Sequence, residues 1–192
     1  MSYKLEDVVL SSKDIDAILE AFDKPGVDDY TTIRNVLNLC PKRIKVQFAL
    51  DSCNSIRHLM KDKRSTDALD HVQIYLDTGK PVPEEIRYAV ATAAAYTTYA
   101  AASAADSASA TATAAAYAAN AANAAAYAAA YAANAAAYAA DVVAHNAHDA
   151  RGTPEWNRIK ADKMREHLNH LKDLILHYIP AEYDNFLLQV AL

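Results

Sequence analysis

The sequence predicts an all-α fold: a single-domain helical bundle with alanine- and tyrosine-rich helices at its centre. Three observations predict it. Apolar residues recur at three- and four-residue intervals along most of the chain, and β-branched residues never alternate over a run. Helix start residues stand before these apolar stretches, and glycine or proline stands after them. The segment from Ala114 to Ala140, "AAAYAANAANAAAYAAAYAANAAAYAA", is built almost wholly from the best helix-forming residue.

The elements follow in order. Ser11 or Ser12 caps a first helix that carries Ile15, Ile18, Leu19 and Phe22 at helical spacing. "DKPGVDD" is a turn. A second helix, Tyr30 to Cys40, buries Ile33, Val36, Leu37 and Cys40, and Pro41 ends it. A third runs from Pro41 to Met60, with Ile44, Phe48, Cys53, Ile56, Leu59 and Met60 as its apolar positions. A fourth, "RSTDALDHVQIYLDTG", is capped by Ser65 or Thr66 and closed by Gly79. After the linker "KPVPEE", Pro83-Glu84-Glu85 starts the alanine-rich part. Beyond it, Thr153 and Pro154 open a long helix whose apolar face is Trp156, Ile159, Met164, Leu168, Leu171, Ile175 and Ile179, and which Pro180 stops. A short helix, Glu182 to Val190, follows. The single domain, 1–192, thus comprises an N-terminal helix and turn (1–29), amphipathic helices (30–80), alanine-rich central helices (83–150) and closing helices (153–192).

The alanine tract has an internal order. With Tyr96 at heptad position a and Tyr99 at d, these positions collect Tyr117, Tyr131, Tyr138 and His145, with Asn120, Asn134, Asp141 and His148. Alanine fills most of the remaining positions. No Lys or Arg occurs between Arg87 and Arg151, so the tract lacks the charges that support a solvated helix. Its alanine faces must be covered, which puts it at the centre of a bundle. A membrane span would be richer in Leu, Ile and Phe. An ice-binding rod would need a flat, exposed, repeated face, and disordered filler would not keep so regular a seam. One helix from Pro83 to Ala150 would be on the order of 100 Å long. A break is therefore expected at Ser103 to Thr113, where Asp106 or Ser107 can cap a new helix.

Composition narrows the function. The net charge of -5, from 24 acidic and 19 basic residues, argues against nucleic-acid binding and suits a basic protein partner. Three glycines in the chain exclude the clustered glycines of a phosphate-binding loop. Cys40 and Cys53 show no framework spacing and read as reduced thiols. "MSYKLEDVVLSSKD" has neither a basic region nor a long apolar run, so no signal peptide and a cytoplasmic location are expected, with no membrane contact.

One constellation invites metal chemistry. His145-x-x-His148 presents two imidazoles on one helix face with Asp141 as a third ligand, and His167-x-x-His170 offers a second pair on the next helix. The short "RGTP" connection makes the two helices antiparallel. The spacing is common, and cationic histidines also suit a helix C-terminus, so no metal or cofactor is expected. Binding to a partner falls instead to residues with reach: Asp28, Asp29, Glu84, Glu85, Glu182 and Asp184, supported by Asp70 and Asp77.

The stretch "NLCPKRIKVQFALDSCNSIRHLMKDKRSTDALDHVQIYLDTGKPVPEEIRYAVATAAAY" (Asn38 to Tyr96), the Ala/Tyr/Asn/Asp tract after it and the charged helix "NRIKADKMREHLNHLKDLI" together resemble immunity proteins of the immunity-five-like type, from bacteria and phages. The likeness spans Tyr30 to Ile179. It implies a soluble all-α protein that neutralises a toxin by binding it, and it brings no defined site residues. The leading expectation is a non-enzymatic helical binding protein, an immunity protein for a cognate toxin. The alternatives are a self-associating helical scaffold and a metal-dependent enzyme using His145, His148, His167 and His170.

Overall fold

The computed structural model describes residues 10–60, 62–88, 113, 115–121, 128–147 and 152–179. Every regular element among them is helical, and no strand occurs among them. The protein is all-α.

Helix α1 (Ser12–Phe22) begins at Ser11, whose side chain accepts from the Asp14 amide while Asp14 accepts from the Ser11 amide. This reciprocal pair satisfies amide groups that the helix itself leaves open. Helix α2 (Asp29–Leu39) is capped by Asp28 through the Thr31 amide. Ile33, Val36 and Leu37 are buried on it, and Cys40 follows, also buried. Helix α3 (Lys42–Asn54) has no side-chain cap, since Pro41 occupies that position. Helix α4 (Lys63–Thr78) ends at Gly79, whose φ of 72° closes the helix in a left-handed conformation. Residues 84–88 are helical, as the Pro83-Glu84-Glu85 start predicts.

Two boundaries differ from the sequence expectation. The third helix stops at Asn54 rather than Met60. The Ile56 amide turns to the Cys53 carbonyl, and Arg57–Leu59 form a tight 3₁₀ turn. Ile56 stays buried, so the apolar pattern survives although the helix does not. The fourth helix is capped by Asp62, which accepts from the Arg64 amide, and not by Ser65 or Thr66. Ser65 is buried within the helix instead.

Helix α5 (Ala128–Ala147) is the hub. It packs against α2, α3 and the closing helix α6 (Pro154–His177), and no other described helix touches three partners so extensively. Ala132, Ala133, Ala135, Ala136, Ala139 and Ala140 are each 0% exposed. The alanine faces are covered, as the missing lysines and arginines demand. The heptad seam lies half-buried. The Tyr30 hydroxyl donates to Asn134 Oδ1 at 2.8 Å, and Tyr117 rests against Tyr131 and Tyr138 with ring centroids 5.9 and 5.5 Å apart.

Those ring contacts bear on the continuity of the alanine tract. In one straight helix Tyr117 and Tyr138 would be about 30 Å apart. Instead the helical run 115–121 lies beside α5. The runs 115–121 and 128–147 are therefore not parts of one straight helix. Apart from Thr113, the expected break and its capping candidates Asp106 and Ser107 lie outside the described residues.

Helix α6 starts as predicted, with Thr153 accepting from the Trp156 amide and Pro154 in the first turn. It runs antiparallel to α5. Asp141 meets Lys160 at 2.6 Å, and His145, one turn further along α5, meets Trp156, one turn back along α6. Trp156, Met164, Leu168, Leu171, Ile175 and Ile179 are buried, while Ile159 is only partly covered. The expected terminal helix, Glu182 to Val190, lies outside the described residues.

Added volume on α5 tests its central position. Ala136→Leu should destabilise by ~1–3 kcal/mol through overpacking, whereas Ala147→Leu, at an exposed position of the same helix, should stay within about 0.5 kcal/mol. Urea unfolding of the two variants measures the difference.

Candidate functional site

Histidines, carboxylates and grooves on α6 and its neighbours provide the chemistry available among the described residues. Three of the four candidate histidine ligands, His145, His167 and His170, lie among the described residues, and they fall in two places. His145 packs its ring edge on Trp156, at centroid distance 5.7 Å. His167 lies eleven residues beyond Trp156, about 16 Å along the helix axis. Asp141, 8% exposed, is held by Lys160, whose ammonium also sits 5.3 Å from the centre of the Trp156 ring. The structure thus joins Asp141 and His145 into a clamp between α5 and α6, away from His167 and His170. Among the described residues no three His, Cys, Asp or Glu side chains form a group able to hold a metal ion. His148 lies outside them.

His167 and His170 meet α3 instead. The α6 stripe that buries Met164, Leu168 and Leu171 also carries His167 inward, to 3% exposure, with its ring edge-on to Phe48. Burial, with the Lys163 charge nearby, pulls its pKa down to about 4. Its imidazole is therefore neutral at physiological pH, and its Nε2 has no hydrogen-bond partner. His170, one turn on, stacks on Phe48 and donates from Nε2 to Asp51 Oδ2 at 2.9 Å. That bond raises its pKa, and the charges of Asp51, Asp173 and Glu166 add to the effect. Gln47 donates to the remaining Asp51 oxygen at 2.9 Å and fixes the carboxylate.

These residues line an open groove of about 380 Å³ between α3 and α6, bordered by Asp51, Ser55, Glu166, Asn169, His170 and Asp173 with His167 among them. A second groove, of about 410 Å³, runs between α2 and α6 past Asp28, Asp29, Tyr30, Lys160 and Arg165. There the charges cancel internally, because Arg165 pairs with Asp29 at 2.8 Å and Lys160 with Asp141.

The acidic residues singled out for partner binding have unequal freedom. Asp28 is exposed but caps α2 through both the amide and the hydroxyl of Thr31. Asp29 is largely covered and paired with Arg165. Glu84 and Glu85 are exposed on the 84–88 helical run. Glu182 and Asp184 lie outside the described residues. Asp70 pairs with Arg57, and Asp77 accepts from Gln73. Sequence reasoning did not single out Asp51, Ser55, Glu166 or Asp173. Asp51 comes to α6 only through tertiary packing. The inward position of His167, however, was available from its spacing with Met164 and Leu171.

The cysteines offer no nucleophile. Burial pushes the Cys40 thiol up to about 12 and raises Cys53 as well, so both stay protonated near neutral pH. No described helix is long and apolar enough to cross a membrane. The fold and groove define an all-helical protein with an open, acid-rimmed surface site. Comparison of the chain with protein-family models, with curated proteins and with solved structures finds no match.

The two histidines act on stability with opposite sign. His167 binds a proton in the unfolded chain at its ordinary pKa of 6.5 but in the folded chain only near 4. The unfolded state holds more protons across that window, so stability falls as pH drops from 6.5 to 4, by on the order of 3 kcal/mol. His170 has a folded pKa above its unfolded value, so its contribution is complete below 6.5 and fades as pH rises through the folded value. Urea unfolding across pH should show His167→Leu with a flattened acid limb. His170→Asn should weaken the dependence on the neutral side. An unchanged acid slope in His167→Leu would contradict a buried, neutral His167.

Proposed function

We propose that this chain is a non-enzymatic helical binding protein of the cytoplasm that recognises a basic protein partner through acidic surface, acting as an immunity protein toward a cognate toxin. The observation that carries the reading is the α3–α6 groove. It is open to solvent, and Asp51, Glu166 and Asp173 border it. A carboxylate rim attracts a basic surface, speeds its encounter and rejects acidic competitors. The net charge of -5 works in the same direction at longer range. Alanine faces consumed by packing on α5 leave binding to such polar surface rather than to the tract itself. The sequence resemblance to immunity proteins narrows the basic partner to a toxin.

Affinity capture from the source cell, followed by co-expression with the captured protein, tests this reading. The expected result is a basic partner whose toxicity is relieved by this chain and whose association slows as salt rises. Glu166→Lys with Asp173→Lys should slow association at low salt by about tenfold while leaving folding intact, and Glu84→Lys with Glu85→Lys should act in the same direction. Self-association alone, with no protective effect on any basic protein, would replace the binding function with the scaffold reading.

A further inference from the structure

We infer that the contact between α3 and the second half of α6 is an acid-operated seam: His167 holds it shut while neutral, and acid opens it ahead of the rest of the bundle. The inference is independent of the binding function proposed above.

The latch is the burial of one imidazole. His167 is 3% exposed and sits edge-on to Phe48 of α3, and its Nε2 is covered and has no hydrogen-bond partner. A second proton makes both ring nitrogens donors and adds a charge. Nothing at Nε2 accepts that hydrogen, so the closed seam holds the neutral ring and excludes the imidazolium. Parting the helices brings the ring to water, where it takes up the proton at its ordinary pKa. Proton uptake thus belongs to the opened state, and falling pH favours that state.

The neighbouring charges act in the same direction. Lys163, His167 and His170 stand at i, i+4 and i+7 on one stripe of α6. Lys163 is largely covered, with 11% of its side chain exposed, and both it and His170 oppose a charge on His167. Glu166 favours that charge but is engaged by Lys163 at 2.7 Å. From α3 the charged group that meets the stripe is Asp51, which His170 occupies at 2.9 Å. Asp29 of α2 and Asp141 of α5 meet α6 elsewhere, on Arg165 and Lys160, and α1 brings an uncharged ring, Phe22, to Lys172. Protonated His167 is therefore the third cation of a row whose nearby carboxylates are committed to the other two.

The opening is local because the rest of the bundle is fastened separately. Lys160 with Asp141 and Trp156 with His145 tie the first half of α6 to α5. Helix α1 packs on α2, α2 and α3 pack on α5, and α4 packs on α3, none of them through α6. Parting the seam uncovers Phe48 and Leu171, both fully buried when it is shut.

Native-state hydrogen exchange of the full chain in low urea, from pH 7 to 4.5, tests the seam. Amides of Leu168, Leu171 and Ile175 should open with a smaller urea dependence than those of α5. The population of that opening should rise about tenfold per pH unit below pH 6, because the ring titrates at 6.5 when free and near 4 when shut in. The emission wavelength of Trp156, the only tryptophan, should stay unchanged between pH 7 and 5. His167→Leu should abolish the acid-driven rise, and His167→Gln, polar but without a titrating ring, should do the same if the leucine variant folds poorly. Opening of these amides with the free energy and urea dependence of α5, a rise that persists in the variants, or a red shift of Trp156 in step with it would overturn the seam.

Discussion

The close approach of helices around α5 is the constraint on which the rest of the structure depends. An alanine buries one methyl group, so it returns little hydrophobic free energy on its own. It also loses no side-chain entropy and has the highest helix propensity. A helix of alanines therefore forms cheaply but holds neighbours only if their backbones come near enough for dispersion contacts to accumulate. The neighbours supply the bulk that α5 lacks. Ile33 and Leu37 on α2, Ile44, Phe48 and Leu50 on α3, and Leu171 and Ile175 on α6 are all buried.

That division of volume explains α3. A surface helix buries one stripe, but α3 buries Ile44, Val46, Phe48, Ala49, Leu50, Ser52 and Cys53, which point in nearly every direction. It is hemmed in by α4, α5 and α6. Phe48 consequently sits where two helices cross and becomes the surface against which His167 and His170 pack. The groove is thus a product of core packing. The stripe that fastens α6 to the bundle also drives a histidine into a place where it stays neutral, and the next turn places another against Asp51.

Much of the fold was legible in the sequence because the signals were local. Ser11, Thr153 and Gly79 act at the helix ends where they were expected, and Tyr131, Asn134 and Tyr138 form the seam that the heptad register collects. The readings that failed depended on competition between neighbours. Asp62 outranks Ser65 as a cap, and Ser65 is drawn into the core. The expected break at Ser103 to Thr113 lies, apart from Thr113, outside the described residues, while the ring contacts of Tyr117 show that the runs 115–121 and 128–147 are not parts of one straight helix. The groove was least legible. His170 and Asp51 are 119 positions apart in sequence, and neither one's local pattern announces the other. The histidine spacing was visible, but it suggested metal ligation where the packing yields an aromatic contact and a carboxylate bond.

The central claim is that an alanine helix is the most protected element of this bundle, although its own side chains are nearly the smallest available. Native-state hydrogen exchange measures that directly, amide by amide. The account predicts that amides from Ala132 to Val142 exchange only through global unfolding, with the same free energy as those in the middle of α3. Amides of α4, which packs mainly on α3, should open at lower cost. Exchange in α5 that is faster than in α4, or independent of global stability, would contradict it.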